Sequence, residues 1–183
     1  MSGPDAEPET RSPLVSTEDL ARYGVLPPPA PPTGRELDVL LAMLTNRRPR
    51  VGTIVVGHSR DEVCRAAAEA FAAAWQARDG TVLTTVHWPE TAASWLRPAI
   101  RLTAEEPDAW VIAATVPGFA QLARRLRHST DWDPGRTYAF AALRDSRLPA
   151  LAGPQAVHGL RGATADGGTW QVHHAWVTSH PPT

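Results

Sequence analysis

The feature that most constrains this chain is an alternation of short apolar strands and amphipathic helices between residues 50 and 164. Each apolar run has about six residues and is followed by a helical pattern, which is the spacing of parallel strands joined by crossover helices. The predicted strands are residues 50–57, 81–86, 109–114, 137–142 and 159–164. We therefore predict an α/β domain, with a three-layer, Rossmann-like parallel sheet in the order 2-1-3-4-5 and helices on both faces.

The segments around these strands complete the predicted organisation. Helical patterns cover residues 34–46, 60–77, 91–104 and 118–128, and a partly alternating run at 169–180 predicts one last edge strand. We predict a disordered tail over residues 1–13 and a proline-rich connector over 14–33, with a short turn or helix opened by Ser16 inside it. The α/β domain is predicted over residues 34–178, and a short tail over 179–183.

Composition argues against several classes of partner and chemistry. The 183 residues carry 18 basic and 19 acidic side chains, so nothing draws the whole chain to phosphate backbones or anionic lipid. We expect neither nucleic acid nor a membrane as partner. The chain has no lysine, which excludes a Schiff-base lysine and a P-loop lysine. The amino terminus lacks a signal-peptide pattern and the single cysteine can form no internal disulfide, so we expect a cytoplasmic location.

The candidate binding residues lie in the loops that follow the predicted strands, because parallel sheets of this kind bind ligands at the carboxyl ends of their strands. Two imidazoles, hydroxyl groups, an indole and a carboxylate in these loops suit a small polar ligand with an apolar or aromatic part. Ser59 also has a second interpretation, as the N-cap of the following helix, and Trp88 is the tryptophan best placed to line a cleft. The candidates are His58, Ser59, His87, Trp88, Thr115, Val116, Pro117 and Asp145.

No sequence motif indicates a cofactor, a metal or a catalytic residue. The first strand is followed by neither GxGxxG nor a P-loop, and no GxSxG nucleophile elbow is present. His173 and His174 would point to opposite faces of a strand, and His180 falls in the predicted tail, so we predict no metal site. Cys64 lies within a predicted helix and is interpreted as a buried, inert thiol.

Several segments, taken in order, resemble a known family. They are SPLVSTEDL, VGTIVVGHSRDEVCRAAAEAFAAAWQARDGTVL, EEPDAWVIAATVPGFAQLARRLR and TYAFAALRDSRLPALAGPQAVHGLRGAT. Together they resemble the second lobe of type I periplasmic binding proteins, in the amino-acid-receptor branch. The resemblance implies a lobe that closes with another lobe on a small ligand, often an amino acid. It also implies an acidic anchor for the ligand's amino group near Ala141 or Ala142, where this sequence is apolar, with Asp145 a few residues further on.

Three functional hypotheses follow from this sequence. The first is a cytoplasmic, non-catalytic module that senses a small molecule or binds a partner. The second is a self-associating scaffold protein without a ligand, and the third is a small tailoring enzyme with His58, His87 and Asp145 as acid–base groups. Because one lobe alone would leave its cleft face open, we expect a homodimer, or a partner that supplies the missing lobe. We place that contact around Trp88, Val116 and Pro117.

Overall fold

A computed structural model of the protein describes residues 15–92 and 94–182. The predicted disordered tail, residues 1–13, lies outside these residues. Seven strands form a sheet in the order β2-β1-β3-β4-β5-β6-β7, in which the first five strands run parallel and the last two antiparallel. The predicted α/β class and the order 2-1-3-4-5 are confirmed. The strands are β1 (Thr53–Ser59), β2 (Thr81–Trp88), β3 (Ala109–Ala113), β4 (Thr137–Ala139), β5 (Arg161–Ala163), β6 (Thr169–His173) and β7 (Trp176–His180).

Helices cover both faces of the sheet, which gives the predicted three layers. Successive side chains of a strand point to opposite faces, and in β1 the side chain of Val55 enters one hydrophobic core while Ile54 and Val56 enter the other. Within the described part of the chain, every helix is too short or too polar to cross a membrane. The helices are α1 (Thr17–Arg22), α2 (Gly34–Thr45), α3 (Glu62–Gln76), α4 (Leu96–Thr103), α5 (Val116–Ser129), α6 (Arg147–Ala152) and α7 (Pro154–Val157).

Side-chain caps open three of the seven described helices, α1, α2 and α3, and one of these caps corrects a prediction. Ser16 opens α1 as predicted, and its hydroxyl accepts the N–H of Asp19 at 3.0 Å. The cap of α3 is Asp61 and not Ser59, since the Asp61 carboxylate accepts the N–H of Cys64 at 2.8 Å. The predicted helix 91–104 begins only at Leu96.

The last part of the sheet differs from the predicted single edge strand. Residues 169–180 form a hairpin of β6 and β7, because the chain reverses at His174, whose φ of 52° lies in the left-handed region. His180 is therefore part of β7 and not of a tail. The hairpin adds two antiparallel strands to the edge of the predicted sheet.

Asp108 joins the amino ends of β1 and β3. Its carboxylate accepts the N–H groups of Gly52 and Thr53 at 2.9 and 2.8 Å, and the Thr53 hydroxyl at 3.0 Å. The hydrogen bonds from the Thr53 and Gly52 backbone hold the pKa of Asp108 below its ordinary value. The ionised carboxylate is the form that the folded chain stabilises.

We expect Asp108→Ala to lower the free energy of unfolding by about 1 kcal/mol at neutral pH, since a charge-assisted set of hydrogen bonds is lost at an exposed site. A lowered pKa gives a contribution that is present above the ordinary aspartate pKa and is lost as the pH falls through the lowered value. Urea denaturation of both proteins at about pH 7 and about pH 3 measures this loss. Glu105→Ala, at another exposed carboxylate, is the control and should change little. A wild-type advantage that stays constant down to the lower pH contradicts this role of Asp108.

Candidate functional site

A cavity of about 250 Å³ lies at the carboxyl ends of β3 and β4. Residues 113–116 line it from the end of β3 and the beginning of α5, and residues 140–142 line it after β4. The first turns of α3 contribute Val63, Cys64 and Ala67. Most of these groups are apolar, so the cavity offers a small apolar surface at the sheet edge where such folds bind ligands.

A proline-rich segment, residues 26–32, forms another part of the lining, and all of its residues contact the cavity. We name these residues the proline wall. Leu26, Pro29 and Pro32 are partly buried, whereas the four residues between them are exposed. A period of three is that of a polyproline II helix, which has three residues per turn. One edge of this helix therefore packs towards the domain and its other edges face solvent.

Glu36 brings a buried carboxylate to the cavity. The residue is 3% exposed and lies in the first turn of α2. Its Oε1 accepts the N–H of Ala141 at 2.5 Å, and its Oε2 accepts the N–H of Thr33 at 3.4 Å. Burial raises the pKa of Glu36, and the backbone hydrogen bonds from Ala141 and Thr33 oppose that rise. Each carboxylate oxygen has a second lone pair, so Glu36 can also accept a hydrogen bond from a ligand.

The position of Glu36 can be compared with the acidic residue that the sequence resemblance implies. That resemblance implies an acidic residue near Ala141 or Ala142, and both alanines line the cavity. The structure brings a carboxylate to the Ala141 N–H from α2, far away along the chain. Sequence analysis missed Glu36, although the pattern Thr33-Gly-Arg-Glu36 is a capping box that marks both residues at a helix start.

Three of the predicted binding residues line the cavity: Thr115, Val116 and Asp145. The Thr115 hydroxyl donates a hydrogen bond to the Glu90 carboxylate. The Asp145 carboxylate accepts two bonds from the Arg147 guanidinium, at 2.9 and 2.6 Å. The side-chain hydrogen bond from Arg147 lowers the pKa of Asp145, so this carboxylate is ionised and already has a charged partner.

His58 and Ser59 lie elsewhere, on the last two positions of β1, and both are buried. The Nδ1 of His58 donates to the carbonyl oxygen of Ser59 at 2.7 Å. The Ser59 hydroxyl accepts the N–H of Thr115 at 3.2 Å, and so fastens the end of β1 to the start of α5. Neither side chain belongs to the cavity lining, and both have structural partners.

His87 is exposed beside the same strand end. Its ring centroid lies 5.8 Å from that of His58, and its Nδ1 accepts the Nε–H of Arg60 at 3.1 Å. Partial desolvation, with the nearby charge of Arg60, lowers the pKa of His87. His58 and His87 are thus close to one another, but they do not line the cavity that Asp145 lines, so the acid–base set of the enzyme hypothesis is not assembled there.

The prediction that Trp88 lines a cleft is wrong, because its side chain is wholly buried in the hydrophobic core. Val116 is also buried, and Pro117 is half-buried in the first turn of α5 and is not part of the cavity lining. The expected apolar contact face around Trp88, Val116 and Pro117 is therefore largely covered within the chain itself. The predicted homodimer has no support at that position. Among residues 15–92 and 94–182, no three His, Cys, Asp or Glu side chains are grouped so that they could hold a metal ion.

Comparison with protein-family models and with curated protein sequences gives no match. Solved structures do match. A substrate-binding periplasmic protein from Ralstonia solanacearum is similar over 76% of this chain, with a TM-score of 0.62 and 20% identity. An extracellular ligand-binding receptor from Rhodopseudomonas palustris HaA2 is similar over 70%, with a TM-score of 0.61 and 18% identity. A leucine-binding protein from Thermotoga maritima is similar over 69%, with a TM-score of 0.55 and 17% identity.

These likenesses establish the fold. The chain spans 34–39% of the length of these three structures, which corresponds to a single lobe of a two-lobed binding protein. The predicted resemblance to one lobe of a type I periplasmic binding protein is confirmed in the fold.

Proposed function

We propose that this chain is a non-catalytic module that binds a small ligand in the cavity between the proline wall and the carboxyl ends of β3 and β4. The observation that carries the proposal is the Glu36 carboxylate, which is buried at the edge of an otherwise mostly apolar cavity. A buried charge is costly unless it is both hydrogen-bonded and paired with an opposite charge. Glu36 has the hydrogen bonds from Ala141 and Thr33, but it forms no ion pair within residues 15–92 and 94–182. A ligand with an ammonium group and a short apolar part supplies that charge and fills the apolar space.

The size of the cavity limits the ligand further. A volume of about 250 Å³ lies just below the roughly 300–1,000 Å³ of pockets that take drug-sized molecules. This favours a ligand of the size of a branched aliphatic amine or a small apolar amino acid. The similar structure from Thermotoga maritima is that of a leucine-binding protein, and leucine is a molecule of this size. Arg144 lies at the cavity as an exposed cation and can meet a carboxylate if the ligand has one.

We also propose a cytoplasmic location. The single cysteine, Cys64, is free and buried, and the chain offers no second cysteine for a disulfide. Proteins without disulfides are typical of a reducing compartment. Fractionation of the source cells with an antibody to the chain tests the location.

Thermal denaturation of the purified chain with defined small molecules tests the binding proposal, because a molecule that binds only the native state raises its melting temperature. The probes are leucine and valine, their decarboxylated amines isoamylamine and isobutylamine, and isovaleric acid as the matched molecule without an amine. We expect the melting temperature to rise with at least one of the ammonium compounds and not with the acid. A panel that leaves the melting temperature unchanged throughout contradicts the proposal.

A variant that fills the cavity should abolish the shift. Ala142 lines the cavity and is only half-buried, so Ala142→Leu places a larger side chain in the ligand's space. Ala150→Leu, on an exposed position of α6, is the matched control and should keep the shift of the wild type. Isothermal titration of both variants with the best probe measures the difference. Equal affinity in the two variants would place the ligand elsewhere.

A further inference from the structure

Two polar groups of the cavity are shielded from solvent, the Glu36 carboxylate and the Cys64 thiol. Glu36 is 3% exposed and Cys64 is 3% exposed, although both line the cavity. We therefore expect part of the lining to move when a ligand contacts the Glu36 carboxylate. Most of that lining belongs to strand ends and helix starts, which are held by the hydrogen bonds of the sheet and by capping groups.

The proline wall is the least attached part of the lining. None of its residues takes part in a hydrogen bond within the described part of the chain, and its prolines have no N–H group to donate. It is held by apolar contacts, in which Leu26 packs against one hydrophobic core. An apolar contact of this kind can separate without leaving a buried donor unpaired.

The two ends of the proline wall differ in strength. At its carboxyl end, the Thr33 hydroxyl donates to the carbonyl oxygen of Ala165 at 2.6 Å and the Thr33 N–H reaches Glu36. At its amino end, the Gly24 N–H donates to the carbonyl oxygen of Ala21 at 3.2 Å, which is a bond within the chain segment of α1. The bond that joins this end to the rest of the domain runs from Arg147 to the carbonyl oxygen of Tyr23 and is 3.5 Å long. Gly24 follows, with a φ of +68°, and nothing lies within 4 Å of where a side chain would be.

We propose that the proline wall is a movable gate, whose amino end swings away from the cavity, admits the ligand to Glu36 and closes over it. Thr33 is the fixed end, and Gly24 is the flexible joint to α1. Five prolines in seven residues restrict the backbone, so the segment moves as a stiff rod rather than as a flexible loop. The nature of the ligand rests on the proposed function. The motion of the gate does not, and it can be measured without a ligand.

Cys64 is a built-in reporter of this motion, because it is the only cysteine of the chain and lies in the cavity lining. Burial raises the pKa of the Cys64 thiol, with Asp61 adding to the rise, so the closed state reacts slowly with thiol reagents. The labelling rate with Ellman's reagent under native conditions therefore reports how often the cavity opens. The global free energy of unfolding, measured in urea, shows how much labelling would arise from complete unfolding.

The test loosens the gate and keeps its three partly buried residues, Leu26, Pro29 and Pro32. Pro28 and Pro31 are exposed positions of the wall, and the double variant Pro28→Gly/Pro31→Gly makes the rod flexible. We expect Cys64 to be labelled at least about 10-fold faster than in the wild type after correction for any change in global stability. The matched control is Pro181→Gly/Pro182→Gly, at exposed positions beyond β7, which should label at the wild-type rate.

The outcomes separate the gate from the ligand. The gate is overturned if Cys64 of the loosened variant is labelled at the same rate as Cys64 of the wild type and of the control, after correction for global stability. This holds whatever the thermal-shift probes show. If labelling accelerates, the gate stands. A probe amine that then slows labelling of the wild type, and slows it less in the loosened variant, shows that the wall closes over the ligand. If no probe slows labelling, the closure over an ammonium ligand is wrong while the opening motion remains.

Discussion

Replacing Gly162 with alanine is expected to prevent the chain from reaching its native state. Gly162 lies in β5 between β4 and β6, where it pairs with Ala139 and Trp170. A Cβ at this position would overlap the carbonyl oxygen of Ala139 and lie 2.7 Å from the Trp170 indole. Neither neighbour can withdraw, because one is backbone of the sheet and the other is buried with its indole N–H bonded to the Ala163 carbonyl at 2.9 Å. The expected loss is more than about 4 kcal/mol, a large part of the roughly 5–15 kcal/mol that stabilises a domain.

Circular dichroism and urea denaturation of the purified variant measure this effect. Gly34→Ala is the matched control, since it is the same substitution at the first residue of α2 with no atom within 4 Å of the new Cβ. The control should be as stable as the wild type or up to about 1 kcal/mol more stable, because alanine favours a helix over glycine. A Gly162→Ala protein with a cooperative transition at the wild-type urea concentration would mean that β4 and β5 are not paired as described.

The central sheet could be predicted from the sequence because its strands are buried on both faces. β3 is wholly apolar and buried, and β1 contains the run Ile-Val-Val, which is typical of parallel strands covered by helices on both sides. The strand order then follows from the handedness of crossover connections. The hairpin of β6 and β7 was missed for a local reason. Its reversal occurs at His174, and no glycine or asparagine marks the turn.

The candidate site was predicted less completely because two strands extend beyond the apolar runs that predicted them. β1 continues to Ser59 and β2 to Trp88, two residues beyond the predicted ends at 57 and 86. His58, Ser59 and Trp88 therefore pack within the sheet instead of standing in loops. Thr115 and Asp145 do follow their strands, and both line the cavity.

Two parts of the site depend on tertiary contacts that no local pattern contains. The sequence predicts a stiff polyproline segment before α2, but only the fold shows that residues 26–32 lie against the cavity. Glu36 has a complete local explanation as the partner of Thr33 in a capping box. Its second role, at the Ala141 N–H, joins residues 105 positions apart. A residue that satisfies a local rule gives no signal of a distant contact.

Glu36→Gln is expected to weaken the binding of an ammonium ligand by about 1–3 kcal/mol at neutral pH, because it removes the charge that the ligand meets while keeping the shape of the side chain. Isothermal titration with the best amine probe measures the loss. Glu105→Gln, which changes an exposed carboxylate, is the control and should leave the affinity unchanged. Binding that is equally strong in Glu36→Gln and in the wild type would exclude Glu36 from the ligand site.

At Glu36, a fall in pH should change the stability of the fold and the affinity for the amine in opposite directions. Burial raises the pKa of Glu36 above its ordinary value of 4.5, so on acidification the folded chain takes up a proton here before the unfolded chain does. The protonated side chain stabilises the fold, and this contribution is fully present below the ordinary glutamate pKa and is lost as the pH rises through the raised value. From about pH 7 down to about pH 4, the wild type should therefore gain stability relative to Glu36→Gln in urea denaturation, the reverse of the trend at Asp108. Over the same range, its affinity for the amine should fall, because the proton removes the charge that the ligand needs. Protonation of Glu36 would then stabilise the fold and weaken ligand binding. If the stability of the wild type relative to Glu36→Gln and its affinity for the amine both fall on acidification, this role for Glu36 is contradicted.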